Sequence, residues 1–217
     1  MSRKRGAAKK LIKLYDILYE AFGPQYWWPA DTDFEIIIGA ILTQNTAWSN
    51  VEKAVKNLTR ERLLTPRAMK NVRKRKLASL IRPSGYYNLK ATRLKTFTNF
   101  LFKRYGGSLK RMFSREMTRL RRELLNVNGL GKETVDSILL YAGKKPVFVI
   151  DAYTKRILSR HGMIEEGSDY DSAQNLFMSS LPRDCSLFGE YHALLVKLAK
   201  DICKKQPKCA VCPVRKF

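Results

Sequence analysis

No apolar run in this chain approaches the length of a membrane span. The longest, residues 36–42 with Gly39 inside it, falls far short of the roughly 20 residues a spanning helix needs. No apolar segment follows the basic MSRKRGAAKK at the N-terminus, so no secretory signal is legible there. Asp16 and Glu20 lie inside the first helical pattern and argue against a transit peptide. Cysteine is scarce, with four in 217 residues, and without a secretory signal an even count does not imply disulfides. There is no internal repeat and no low-complexity linker. These absences exclude a membrane-spanning or disulfide-stapled secreted protein. They lead us to expect a monomer working inside the cell, in cytoplasm or nucleoid.

Acidic residues are also few. Nineteen Asp and Glu stand against 42 Lys and Arg, a formal charge of +23. Such an excess predicts phosphate-rich partners and salt-sensitive binding. On charge alone, a ribosomal or chromatin-like role and an anionic membrane surface all remain open. Hydrophobic residues make up 45% of the chain, which argues for globular folding with one large core or two small ones.

The pattern is helical almost throughout, because apolar positions recur near every 3.6 residues. Leu11, Leu14, Tyr15, Leu18 and Phe22 mark a first amphipathic helix, which Gly23 and Pro24 end. Residues 34–43 are apolar all round and read as a buried helix capped by Asp31 or Thr32. Further helices are expected over 49–58, 90–102, 114–125 with Ser114 as cap, 152–160, 172–181 and 188–202, and one starts at Thr65-Pro66. The basic stretch 60–76 reads by itself as a solvated face. Residues 146–150 alone resemble a strand, too short and without a partner.

The most informative stretch is 124–156, LLNVNGLGKETVDSILLYAGKKPVFVIDAYTKR. A helix ends near Leu125, the turn 126–131 follows, and a second helix begins at Lys132 or Glu133. Glycines two apart permit a tight turn and close backbone approach. Amides there, at a helix start, can hold a phosphate. The extended run then delivers Asp151 to the start of another helix, where a plain N-cap is the simplest role for it.

The order G-L-G-K-E-T-V-D then V-I-D-A-Y-T-K-R resembles the helix-hairpin-helix plus Gly/Pro-Asp segment of endonuclease III-type DNA glycosylases. The tryptophans at W-W-P (Trp27, Trp28) and after L-T-Q-N-T (Trp48) are most similar to the 3-methyladenine glycosylase branch. The resemblance implies an all-α fold of two helical domains with the active site in the cleft between them. One would be a six-helix barrel-like domain over 34–145 carrying the hairpin; the other would join 1–33 to 146–217. It implies base excision from damaged double-stranded DNA. A bifunctional glycosylase and AP lyase for oxidised pyrimidines, or a noncatalytic hairpin DNA-binding protein, is the alternative.

By that resemblance Asp151 is the catalytic carboxylate. Asn128, Gly129, Leu130, Gly131 and Lys132 hold the DNA backbone. Tyr86, after the glycine of G-Y-Y-N-L-K-A, is the wedge between base pairs, and Gln44 enters the vacated duplex. An amide at position 44 can equally tie its helix junction together. Trp28 and Trp48, with Glu133, are the residues expected at the base, and the tryptophans can equally be core. Glu133 stands where lyases of the family carry Lys, so hydrolysis by water, without a Schiff base, is implied. Cys203, Cys209 and Cys212 resemble the family's C-x5/6-C-x2-C-x5-C loop, which holds a 4Fe-4S cluster. The fourth cysteine would fall just past Phe217. An interrupted motif is the first reading; completion by Cys185 or an outside ligand, zinc, or no metal are the others.

Overall fold

The computed structural model describes residues 2–217, with side chains from Gly6 onward; Met1, at the head of the basic N-terminal stretch, lies outside the described residues. The described residues are helical, with no strand among them. They form two compact units, one of the residues up to Trp27 with Pro146–Phe217, the other Trp28–Lys145.

In the first unit, α1 (Ser2–Phe22) packs against α11 (Tyr170–Ser180) and α12 (Cys185–Asp201), and α12 packs against α10 (Ala152–Arg160). Leu11, Leu14 and Leu18 of α1 are wholly buried, as the helical spacing requires. The Tyr191 hydroxyl donates to Leu11 O at 2.8 Å and tethers α1 to α12. The run 147–150 is extended and buried but joins no sheet. Side chains of α11 satisfy its backbone instead: Gln174 Nε2 donates to Phe148 O at 2.7 Å, and the Ile150 N–H faces the Tyr170 hydroxyl at 3.4 Å. Buried peptide groups need partners, and here a helix supplies them in place of a neighbouring strand. Phe148 stacks on Phe177, with ring centroids 3.7 Å apart.

The second unit is built round α2 (Asp33–Leu42), every residue of which from Phe34 to Leu42 is buried except Glu35. A helix apolar all round can be stable only inside a core. Thr32 is its N-cap, accepting from Glu35 N at 3.1 Å. Against it pack α3 (Trp48–Arg60), α6 (Tyr87–Tyr105) and α9 (Lys132–Ser137); α4 (Pro66–Asn71), α5 (Lys74–Leu80) and α7 (Leu109–Phe113) pack on α6, and α8 (Met117–Leu125) on α9. Helix α9 continues as a π-helical turn over Ile138–Ala142, where Gly143 N–H reaches back to Ile138 O at 2.9 Å.

Two sequence expectations are corrected. Glu116 rather than Ser114 caps α8, accepting from Thr118 N and Arg119 N at 2.7 and 2.8 Å. Ser114 instead closes the short helix α7. The basic stretch 60–76 is more than a solvated face: it contains α4, whose Met69 is buried, and leads into α5.

Candidate active site and nucleic-acid interface

The hairpin joins α8 to α9. The two helices are clamped by Arg121, whose Nε and NH2 donate to the buried Asp136 carboxylate at 2.7 and 2.9 Å. A paired guanidinium–carboxylate contact of this kind fixes orientation as well as charge. Within the turn, Gly129 has φ +91, a region closed to most side chains. Gly131, by contrast, sits at φ −86 and ψ 173, and a Cβ there would meet nothing within 4 Å. One glycine is conformational; the other leaves open space at the head of α9. Asn128 and Lys132 are exposed beside it. Leu130, by contrast, has a buried side chain, and its N–H is bonded to Val127 O at 3.1 Å.

Behind the turn lies a network that sequence reasoning missed. Gln44 Nε2 donates to Gly129 O at 3.1 Å and to Thr134 Oγ1 at 2.9 Å, while Gln44 Oε1 accepts from Arg93. A Cβ on Gly129 would stand 2.5 Å from Arg93 Cγ, so the arginine stem packs flat on the turn. Arg93 Nε is buried there with no acceptor among the described residues. Gln44 thus ties the α2–α3 junction to the hairpin. The available signal was positional: Arg93 lies on α6, the helix that Tyr86 caps, seven residues further on.

Tyr86 is 70% exposed, with φ 43 and ψ 33, at the head of α6. Lys90 holds this loop from beneath. It is 1% exposed, and its Nζ donates to Leu42 O at 2.8 Å and Ser84 O at 2.6 Å. Burial, with the Arg93 charge adding, lowers its ammonium to about 8. One buried side chain therefore joins the end of α2 to the Tyr86 loop.

Trp28 and Trp48 meet edge to face, 5.2 Å between centroids, and Trp28 also contacts Tyr141 of the π-turn at 5.4 Å. Gly39 makes this possible, since a Cβ there would lie 3.1 Å from the indole. The tryptophans line a cavity of about 210 Å³ with Pro29, Glu35 and Glu52. Burial raises the Glu35 carboxyl, and the Asp31 N–H partly offsets the rise. Glu133 is not a wall of this cavity; it is exposed in the first turn of α9. The structure brings the two indoles together and leaves Glu133 elsewhere.

In the first unit, Asp151 caps α10, its Oδ1 accepting from Thr154 N at 2.7 Å. Its Oδ2 lies 3.7 Å from Nε2 of His192 on α12. Burial pushes this carboxyl up, but His192 and the Thr154 N–H outweigh it and hold it below its ordinary value. The group is therefore a carboxylate at neutral pH, suited to stabilising positive charge and not to donating a proton. Sequence reasoning missed His192, one of two histidines in the chain, because nothing in local spacing links it to Asp151.

Cys203, Cys209 and Cys212 line one cavity of about 220 Å³ with Arg160 and His161. Burial first, then proximity to Cys203 and Cys209, raises the Cys212 thiol. Arg160 NH1 stands 3.3 Å from Cys203 Sγ and also donates to Lys204 O. Cys185 begins α12 and is not a wall of this cavity. Among the described residues no three His, Cys, Asp or Glu form a group able to hold a single metal ion. No helix among them is long and apolar enough to cross a membrane.

With this geometry in view, the chain can be set beside known proteins. Residues 38–183 match the HhH-GPD superfamily base excision DNA repair protein model. A provisionally named DNA repair glycosylase of Methanocaldococcus jannaschii is 48% identical over 99% of this chain and 98% of its own. Endonuclease III of Thermotoga maritima is 32% identical over 84% of this chain and 81% of its own. Among solved structures, the 3-methyladenine DNA glycosylase of H. pylori bound to 1,N6-ethenoadenine superimposes with a TM-score of 0.76 at 30% identity, covering 91% of this chain and 97% of that one. A non-covalent endonuclease III–DNA complex gives 0.81 at 23% identity, covering 95% and 92%, a likeness of fold. The chain belongs to the HhH-GPD superfamily of base excision DNA repair proteins.

Proposed function

We propose that this superfamily member, a DNA N-glycosylase by family, is monofunctional and releases alkylated purines by hydrolysis. The observation that carries the reading is the Asp151 carboxylate, fixed by Thr154 N and kept ionised beside His192. Cleaving an N-glycosidic bond develops positive charge on the sugar, and a preorganised carboxylate stabilises it. Asp151 is also the group that would orient the attacking water. The sugar is reached only when the nucleotide leaves the stack. Tyr86 is exposed and presented for that work, with the basic surface supplying affinity. The hairpin holds the phosphate backbone at the open space beside Gly131, with Asn128 and Lys132 flanking it.

Base choice is assigned to the Trp28 and Trp48 cavity. A cationic alkylpurine stacks well on indoles, its glycosidic bond is already weak, and the Glu35 and Glu52 side chains add negative charge to the walls. The 3-methyladenine glycosylase named above supports this class. The absence of lyase chemistry is read from position. Lys132 and Glu133 are consecutive residues of α9, pointing about 100° apart, and the family's amine belongs where Glu133 stands.

Cys203, Cys209 and Cys212 fit a thiolate-held 4Fe-4S cluster, with three sulfurs on one cavity and a guanidinium beside one of them. Such a cluster, when bound, would cross-link the loop that Arg156 and Arg160 already hold through Cys203 O and Lys204 O.

The test is a panel of duplexes carrying alkylated purines or oxidised pyrimidines, each with wild type and Asp151→Asn. Expected are alkylpurine release by wild type, loss by orders of magnitude in the variant with DNA affinity kept, and strand cutting only after alkali. Near-normal turnover by Asp151→Asn, or faster release of oxidised pyrimidines, would overturn the reading.

A further inference from the structure

The first turn of α6, which Tyr86 caps, carries a second apolar side chain that the proposed mechanism leaves unused. Leu89 is 49% exposed. The other exposed large apolar residues among the described ones, Ile12, Tyr19, Tyr26 and Val211, lie elsewhere in the chain, whereas Tyr86 and Leu89 are three residues apart. Leu89 lies on the first turn of α6, three residues after the N-cap Tyr86, and Arg93, four residues further along the helix, follows Leu89 on its face. Arg93 itself is turned to the hairpin, its stem on Gly129 and its guanidinium on Gln44, which leaves Tyr86 and Leu89 as the exposed apolar pair.

The local backbone is organised to present this ridge. Gly85 has φ 68 and ψ 163, and Tyr86 takes a left-handed conformation that a bulky residue adopts only when its surroundings impose it. Here they do. Gly85 N–H is bonded to Arg82 O at 3.2 Å, Lys90 N–H to Tyr86 O at 2.9 Å, and Lys90 Nζ to Ser84 O from within the core. Leu89 sits on the first turn of α6, directly outside this fixed support.

An exposed aromatic and an exposed aliphatic side chain, with the exposed Arg82 in the turn just before them, match a ligand with a flat apolar interior and an anionic edge. That ligand is duplex nucleic acid opened at one base step. We propose that Leu89 is a second wedge residue, entering with Tyr86 beside the vacated position and covering the exposed face of the neighbouring base pair. Apolar wedges that unstack a step and bend the duplex are a general device of proteins reading the minor groove. Two neighbouring side chains hold the step open over a wider span than one. The inference rests on the reading of this protein as a nucleotide-flipping glycosylase.

The test uses the full chain, with Leu89→Asn and Leu89→Met. Asparagine at this exposed position removes apolar surface without opening a cavity, and methionine restores apolar surface of similar size. The probes are an intact duplex and one holding a stable abasic-site analogue beside 2-aminopurine. For Leu89→Asn we expect preference for the abasic duplex to fall about tenfold, or about 1.4 kcal/mol. The 2-aminopurine signal of unstacking should fall with it, while intact-duplex affinity stays at the wild-type value and Leu89→Met recovers both losses. Wild-type preference and fluorescence in Leu89→Asn would overturn the proposal. So would an equal loss on both duplexes, which would make Leu89 an ordinary surface contact. If the wild-type protein released no base from any lesion, the glycosylase reading would fail, yet the abasic duplex would still report on Leu89.

Discussion

Gln44 and Gly129, 85 residues apart, are joined by a 3.1 Å hydrogen bond from the Gln44 amide to the Gly129 carbonyl. The bond sets the pose of the hairpin turn, because the same amide also donates to Thr134 and accepts from Arg93. For Gln44 to enter a duplex it would have to release Gly129 O and Thr134. In the free protein it is part of the hairpin's support.

The two hairpin glycines should therefore separate experimentally. Gly129→Ala places a side chain at φ +91 and drives a Cβ into Arg93, so it should cost about 1–3 kcal/mol of stability in chemical denaturation. Gly131→Ala meets nothing within the protein and has an ordinary backbone, so stability should hold or rise by roughly 0.4–1 kcal/mol. Its affinity for undamaged duplex should drop instead, measured by fluorescence anisotropy. Equal effects of both substitutions on stability would contradict this division.

The pH profile of base release tests the pairing of Asp151 with His192. A depressed carboxyl is active above its folded-state value, and activity is lost as pH falls through it. His192→Asn removes the neighbour that lowers Asp151, so the acid limb of single-turnover release should move to higher pH. An unmoved limb would mean that His192 only fills space.

Lys90 gives a test on folding. Its ammonium is lowered to about 8 in the folded protein, while an unfolded lysine titrates near 10.4. Between those values the unfolded state binds more protons, so stability rises with pH there, and the penalty for burying the charge is fully present below about 8. Relative to Lys90→Met, the wild-type protein should gain stability from pH 8 to 10, with an upper bound on the order of 3 kcal/mol from the shift. A stability difference constant with pH would show that Lys90 titrates normally.

The cysteine cavity yields a compositional test. Protein made in iron-replete cells should carry iron and sulfide in near-equal amounts, with broad visible absorbance. Cys203→Ser, at the buried position, should lose both. Colourless protein containing zinc would decide for a single-ion site.

Local sequence determined the helices and their junctions. Apolar spacing gives α1 and α2, Thr32 is the one of the two expected residues that caps α2, a helix does start at Thr65-Pro66, and the hairpin falls between Leu125 and Lys132 as its glycines indicate. Asp151 is an N-cap, as its place before a helix suggests. Where two polar residues compete to start a short helix, local reading failed: Glu116 has two backbone donors within reach and Ser114 closes the preceding turn. Only tertiary structure decided the rest. His192 reaches Asp151 across 41 positions, Arg93 reaches Gln44 across 49, and Lys90 is drawn into the core by two carbonyls from separate segments. Residues 146–150 look like a strand because strand and buried extended segment share the same apolar composition; the side chains of α11 made them the second. Periodicity records which face of an element is buried. It does not record which distant polar group completes a hydrogen bond, and that is where the chemistry of this site is set.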